Sequence, residues 1–326
     1  KLYLAALKIR LMKIRNVYFL IISAITIFSC KKDDNNIEII PPTDISEIIV
    51  RDEANLQDYF ATHFYNYEEF ENPPVDFDYK IKIDTIAGDN SDKTPIKDSE
   101  NFGFKTVVVK SENVGIDGTE VIDHKVYYLI AKQGVGAGTT FADSTYIRYQ
   151  GELLDGTVFD SSSTPVWFNL PSLVPGFAHG ITSLKAGGNV VENEDGTVDV
   201  EDYGVGVIFM PSALGYYATS QGSIPAYSPL IFKIDLLAVN PTDPDGDGIP
   251  SYLEDVDGNG RLNNDNTDLE DEQPFNVFYP NYLDADDDGD GTPTREEINL
   301  DEDGNFVSFK DTDDDGIPDH LDKDTK

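Results

Sequence analysis

The chain has 326 residues, with 61 Asp and Glu against 24 Lys and Arg, a formal charge of −37, and 39% apolar and 11% aromatic residues. A balance this acidic excludes nucleic-acid binding through a basic surface, because phosphates are repelled, yet it leaves enough apolar content for a packed core. A single cysteine excludes an intrachain disulfide or a Cys-based zinc site, and His63, His124, His179 and His320 are scattered without an HExxH pair. The acid is concentrated at one end: residues 241–326 carry 28 acids against 5 bases, net −23, compared with −14 for the first 240 residues. That break in composition places a domain boundary near Asn240.

In chain order, residues 12–30 (MKIRNVYFLIISAITIFSC) set Lys13 and Arg15 ahead of an apolar run from Val17 to Phe28. The run is shorter than the about 20 residues a spanning helix needs and has the layout of a secretory signal. The eleven residues ahead of Met12 read as an over-extended start. Ile27-Phe28-Ser29-Cys30 resembles a bacterial lipobox, whose cysteine is lipidated and becomes the mature N-terminus. The resemblance implies lipidation of Cys30 and an outer-membrane lipoprotein facing the periplasm or the cell surface. Lys31-Lys32-Asp33-Asp34 is similar to the charged tether of Bacteroidetes lipoproteins. Residues 1–30 are thus expected to be a signal peptide, and residues 31–50 a linker with too little apolar content to fold.

Residues 52–70 (DEANLQDYFATHFYNYEEF) space Leu56, Tyr59, Phe60, Phe64 and Tyr67 by three and four, which predicts an amphipathic helix stopped by Asn72-Pro73-Pro74. Alternating runs at Tyr79-Ile81-Ile83 and Val107-Val109 predict short strands, so residues 51–125 form an N-terminal helix-and-strand region expected to pack on the residues from 126 onward. From 126 to 240 the pattern strengthens, with strands predicted at 126–131, 145–149 and 231–236. Residues 134–138 (GVGAG) lack the helix that a phosphate-cradling loop requires and read as a glycine turn. One helix is predicted over 172–185, capped by Ser172, striped by Phe177, Ile181 and Leu184, and ended by Gly187-Gly188. One helix among antiparallel strands is an α+β layout, a curved sheet wrapped on a single short helix.

This region resembles the FKBP-type peptidyl-prolyl isomerases in residues 149–162 (YQGELLDGTVFDSS), 165–170 (PVWFNL), 173–180 (LVPGFAHG), 208–215 (IFMPSALG), 224–226 (IPA) and 230–237 (LIFKIDLL). The order and spacing are the family's over roughly a third of the chain. Together with the lipobox they resemble the FKBP-type lipoproteins of Bacteroidetes, some of them associated with gliding motility. The resemblance implies a proline pocket walled by Tyr149, Phe159, Phe168, Leu173, Val174, Ile224 and Phe232, floored by Phe177, with Asp160 at its edge and the Ile224 N–H as donor to a substrate carbonyl. Phe177 stands where the family often has Trp. Leu214 aligns with the tyrosine that donates to bound substrate, leaving Tyr216 or Tyr217 as replacements, and residues 189–205 are longer than the usual hairpin. The implied reaction needs no cofactor or nucleophile. Rotating a prolyl bond faces a barrier of about 18–20 kcal/mol because amide resonance is lost, and an apolar pocket favours the less charge-separated twisted form. The implied clients are proline-containing proteins.

The tail repeats Asp-x-Asp-x-Asp/Asn-Gly. Asp243, Asp245 and Asp247 with Glu254, and Asp286, Asp288 and Asp290 with Glu297, fit the twelve-position calcium-loop pattern, in which a backbone carbonyl such as that of Ile249 also ligates. Asp311, Asp313 and Asp315 close with Asp322, whereas Asp255, Asp257 and Asn259 lack a closing acid in the twelfth place, and Asp301, Asp303 and Asn305 are weaker still. Alternate oxygens turned inward by a glycine bend suit a hard cation. Proline after two of the loops disfavours the helix of an EF-hand, and the units resemble thrombospondin type 3 repeats. The expectation is a calcium-binding tail with little regular secondary structure. Rival readings are a proline-binding scaffold of low turnover and a calcium-dependent adhesion protein.

Overall fold

The computed structural model describes residues 42–192 and 198–325, so the signal-like segment and Cys30 lie outside the described residues. Helix α1 spans Ile45–Thr62 and buries Ile45, Ile48, Leu56, Tyr59 and Phe60, starting seven residues ahead of the expected helix. Asp52 is buried on the same stripe, where it accepts the Ser212 backbone N–H at 2.8 Å and pairs with Arg51. The helix does not run on to Phe70. His63 is extended, and the chain makes strand β1 (His63–Tyr65) against β2 (Ile83–Thr85), with the short helix α2 (Tyr67–Glu71) between them. Of the strand expected at Tyr79-Ile81-Ile83, only its end is regular.

Strands β3 (Phe102–Lys110), β4 (Val121–Lys132), β5 (Ser144–Leu153) and β6 (Val158–Asn169) come next. Helix α3 (Pro175–Ile181) and the hairpin strands β7 (Asn189–Glu192) and β8 (Val198–Glu201) lead to β9 (Gly204–Met210) and β10 (Leu230–Asn240). Six of these strands form one antiparallel sheet in the order β3-β4-β9-β10-β5-β6. Because β3 pairs with β4 from Phe102↔Leu129 to Lys110↔Val121, the boundary expected at 126 falls inside a strand pair. Residues 102–125 belong to the same sheet as residues 126–240.

Strand alternation explains the layering. Ile208 and Met210 of β9, with Phe232, Ile234 and Leu236 of β10, face a core containing Phe177 and Ile181 of α3. Val205, Val207, Phe209 and Ile231 point to the opposite face, where Leu56, Tyr59 and Phe60 of α1 cover them. All seven residues of β9 are buried, as a central strand covered on both sides requires.

Helix α3 is shorter than the expected 172–185 span. A 3₁₀ turn (Leu170–Ser172) precedes it, the Ser172 hydroxyl donates to the Asn169 carbonyl at 2.7 Å instead of capping, and Pro175 opens the helix after Val174. Phe177, Ile181 and Leu184 are buried as the spacing predicts. Gly176 allows the helix to sit tightly on β9, since a Cβ there would meet Met210 Sδ at 2.6 Å and Leu214 Cβ at 3.0 Å.

The tail contains 3₁₀ turns, the four-residue helix α4 (Leu269–Glu272) and one small sheet of β11 (Ile298–Leu300) and β12 (Phe306–Phe309). Leu262 and Tyr282 pack with Phe141 and Ala142, which seats the tail against the residues before β5.

Candidate functional site

Tyr149 on β5, Phe159, Asp160 and Phe168 on β6, Leu173 and Val174 before α3, Phe177 on α3, Ile224 in the β9–β10 connection and Phe232 on β10 line one cavity of about 330 Å³. Register brings them together: Phe232 pairs across β10–β5 with Gly151, which pairs across β5–β6 with Asp160. Gly151 is needed there because a Cβ would collide with the Phe159 ring and come within 3.0 Å of Phe232. The aromatic walls meet edge to face, Phe177–Phe232 at 5.0 Å and Phe159–Phe232 at 5.5 Å, which fixes the floor rigidly. Phe177 is 2% exposed.

One carboxylate stands at the rim. Asp160 accepts the Tyr149 hydroxyl at 2.7 Å and the Ser161 backbone N–H at 2.8 Å, so its direction is set by two donors. The Tyr149 hydroxyl is pushed up to about 12, first by burial and then by the hydrogen bond to Asp160. It therefore stays a donor throughout the physiological range.

Two expected roles fall differently in the structure. Leu214 does not line the cavity. It is fully buried in a 3₁₀ turn (Ser212–Leu214) beneath Gly176, where a Cβ on the glycine would come within 3.0 Å of the Leu214 Cβ. Of the two tyrosines considered as replacements, Tyr216 lines the cavity, while Tyr217 is buried and gives its hydroxyl to the Thr43 carbonyl. The Ile224 N–H is engaged at 2.8 Å by the Gln221 carbonyl in a tight turn through Gly222, so it is not free in this state. Tyr216, Gln221, Gly222 and Ser223 complete the lining on a connection that has no periodic signal in the sequence.

Residues 139–191 match the family model of FKBP-type peptidyl-prolyl cis-trans isomerases. The domain holding this cavity is of FKBP type. The chain is 29% identical over 172 residues to the FKBP-type peptidyl-prolyl cis-trans isomerase FkpA of Aeromonas hydrophila, covering 52% of this chain and 57% of that one. It is 33% identical over 132 residues to the probable FkpA of Neisseria meningitidis serogroup B, covering 39% and 43%. It is 27% identical over 203 residues to FkpA of Escherichia coli K12, covering 60% and 66%. The chain thus spans less than two thirds of the length of these curated relatives. Residues 244–310 match a second family model, BamM C-terminal.

Beside the FKBP domain, the tail forms a second constellation. In four of the loops the first Asp accepts the backbone N–H of the glycine five residues on: Gly248 to Asp243 at 3.1 Å, Gly260 to Asp255 at 2.8 Å, Gly291 to Asp286 at 3.1 Å and Gly316 to Asp311 at 3.1 Å. These bonds curl the loops so that Asp243, Asp245 and Asp247, and likewise Asp286, Asp288 and Asp290, bring ligand oxygens within 4.8 Å of one another. Glu254 and Glu297 come directly after one-turn 3₁₀ segments, Ser251–Leu253 and Thr294–Glu296, each opened by a proline. Both are buried, and none of their carboxylate oxygens has a hydrogen-bond partner. Asp311, Asp313 and Asp315 are exposed.

Burial, ahead of repulsion between neighbouring carboxylates, pushes Asp245 to about 7, Glu254 to about 10 and Glu297 to about 8. Unpartnered buried carboxylates carry a large desolvation cost that a hard cation offsets, and the residues fit such a group. The partial loop also has a closing acid: Asp265, in the eleventh place, brings an oxygen within 4.8 Å of those of Asp255 and Asp257. Asp268, Glu272 and Asp284 form a further group with no motif spacing at all.

Proposed function

We propose that this protein accelerates rotation about X-Pro bonds in exported or surface proteins and is held at a membrane by lipid on Cys30. The single observation that carries the isomerase reading is the rigid aromatic cavity with an oriented carboxylate at its rim. A prolyl ring seated on Phe177 places its preceding amide among apolar walls. The planar amide is the more charge-separated form, so a low-polarity site destabilises it relative to the twisted state that sits about 18–20 kcal/mol higher in water. Asp160 and the Tyr149 hydroxyl stand where the rotating carbonyl group passes, and no covalent step or cofactor is required.

The tail binds calcium in this reading, with Asp243, Asp245, Asp247, Glu254, Asp286, Asp288, Asp290 and Glu297 as ligands. Extracellular modules of this chemistry bind at about 10⁻⁴–10⁻³ M, which suits an exported protein. Its repeats are of the thrombospondin type 3 kind. A second reading, a proline-binding scaffold of low turnover, is favoured by the Ile224 N–H being tied to Gln221.

A protease-coupled assay on an X-Pro peptide separates the two. Turnover that is lost in Phe159→Ala supports the isomerase; peptide binding without turnover in the folded chain supports the scaffold. Cys30→Ser is expected to shift the protein from the membrane to the soluble fraction, and unchanged fractionation would rule out the lipid anchor.

A further inference from the structure

We propose that Asp247, Glu254 and Asp287 together hold a calcium ion of their own, distinct from the ions within the Asp-rich loops, which ties the loop at 243–254 to the loop at 286–297. The proposal rests on the reading of the tail as calcium-binding and adds to it a site that no single repeat encodes.

The three carboxylates each place an oxygen within 4.8 Å of the others, although Asp287 lies 33 residues beyond Glu254. They are 2%, 3% and 1% exposed. Both oxygens of Glu254, both of Asp287 and Oδ2 of Asp247 lack a hydrogen-bond partner. The nearby Arg295 directs its guanidinium to the Gly246 carbonyl. Three buried carboxylates converging with one donor among them, the Ile249 N–H on Asp247 Oδ1 at 2.6 Å, repel one another unless protons or a cation lie between them. Their five unpartnered oxygens make a hard, all-oxygen set suited to calcium, whose six to eight ligands commonly include water and backbone carbonyls.

Position in the chain supports the same assignment. Asp286, Asp288 and Asp290 alternate around their own loop, which turns Asp287 to the other side. Its backbone is pinned there, the Asp287 N–H donating to the Thr294 hydroxyl at 3.0 Å and the Thr294 N–H to the Ala285 carbonyl at 2.9 Å. Asp247 belongs to two groups, one with Asp243 and Asp245 and one with Glu254 and Asp287, so it bridges a loop ion and the inter-loop ion. Glu254 thereby serves the junction as well as the loop it closes.

The test uses the full chain. Bound calcium is counted by atomic emission after desalting, affinities come from calorimetric titration, and melting is followed in calcium and in EGTA. Asp287→Asn should carry one ion fewer per chain than wild type, or bind that ion at least tenfold more weakly. Its effect on melting should reverse sign: no lower than wild type in EGTA, where the Asp287 carboxyl has no hydrogen-bond partner to lose, and lower than wild type in calcium. The double variant Glu254→Gln/Asp287→Asn should lose no more than Glu254→Gln alone, because both residues serve the same ion. Unchanged stoichiometry and affinity in Asp287→Asn, a lower melting point in both conditions, or a further ion lost in the double variant would overturn the inter-loop site while leaving the loop ions standing. Wild-type protein that takes up no calcium would overturn both the site and the reading beneath it.

Discussion

The FKBP domain and the tail solve the same problem in opposite ways. In the FKBP domain the interior is apolar on both faces of the sheet, and the one carboxylate of the cavity sits at the rim with two donors fixing it. In the tail, among the described residues, the buried apolar side chains are few, Leu262 and Tyr282 against Ala142 with Ile249 and Ile298, while Asp247, Glu254, Asp287, Asp288 and Glu297 are inside. Apolar burial stabilises a domain by itself at roughly 25 cal/mol per Å². Buried carboxylates stabilise nothing until a counter-ion arrives. One region is therefore ordered by its own sequence, and the other by its sequence plus calcium.

The largest expected effect separates the two regions outright. In EGTA, limited proteolysis should cut within residues 241–326 and leave the FKBP sheet intact; equal protection of both regions with and without calcium would break the comparison. Next in size is the cavity. Phe159→Ala removes a wall whose burial is worth about 1.5–3 kcal/mol, and kcat/KM on an X-Pro peptide should fall roughly ten- to a hundredfold, with calcium uptake unchanged.

The pH dependence has a worked sign. Glu254, Asp287 and Glu297 are raised to about 10, about 9 and about 8 in the folded, metal-free chain, chiefly by burial and then by neighbouring carboxylates. A carboxyl group raised on folding contributes stability below its unfolded value, near 4, and loses it as pH rises through the folded value. In EGTA the tail should therefore melt lower as pH climbs from about 5 to 9. With calcium bound the carboxylates stay ionised and that fall should vanish; a fall of the same size in saturating calcium would contradict the assignment. The smallest effect is at the rim. Tyr216→Phe should weaken peptide binding by about 1 kcal/mol, roughly fivefold in KM, with kcat nearly unchanged, whereas Tyr217→Phe should lower stability and leave KM alone.

Much of the fold and of the site is legible in the sequence. Alternation at 145–149 and 231–236 marks the strands on which Tyr149 and Phe232 sit, and the three-and-four spacing of Phe177, Ile181 and Leu184 marks the buried face of α3. The Asp-x-Asp-x-Asp-Gly spacing locates the loops because the ligands of such a loop are local. Local pattern predicts Ser172 as a cap and family alignment predicts Leu214 at the cavity, yet Ser172 falls in the 3₁₀ turn ahead of Pro175 and Leu214 is buried beneath Gly176. The closing acid at Asp265 is hidden by one missing residue in its repeat, and Asp287 by standing between two ligand positions.

The sequence alone determined where the aromatic and acidic chemistry lies and which periodicity orders each stretch, because strand alternation and loop ligation are properties of neighbouring residues. Only the tertiary structure decided that residues 102–125 complete the FKBP sheet, that Tyr216 and not Leu214 reaches the cavity, and that Asp287 meets Glu254. Those outcomes depend on contacts between segments tens of residues apart, whose energies come from shared burial and shared charge, and no local pattern records them.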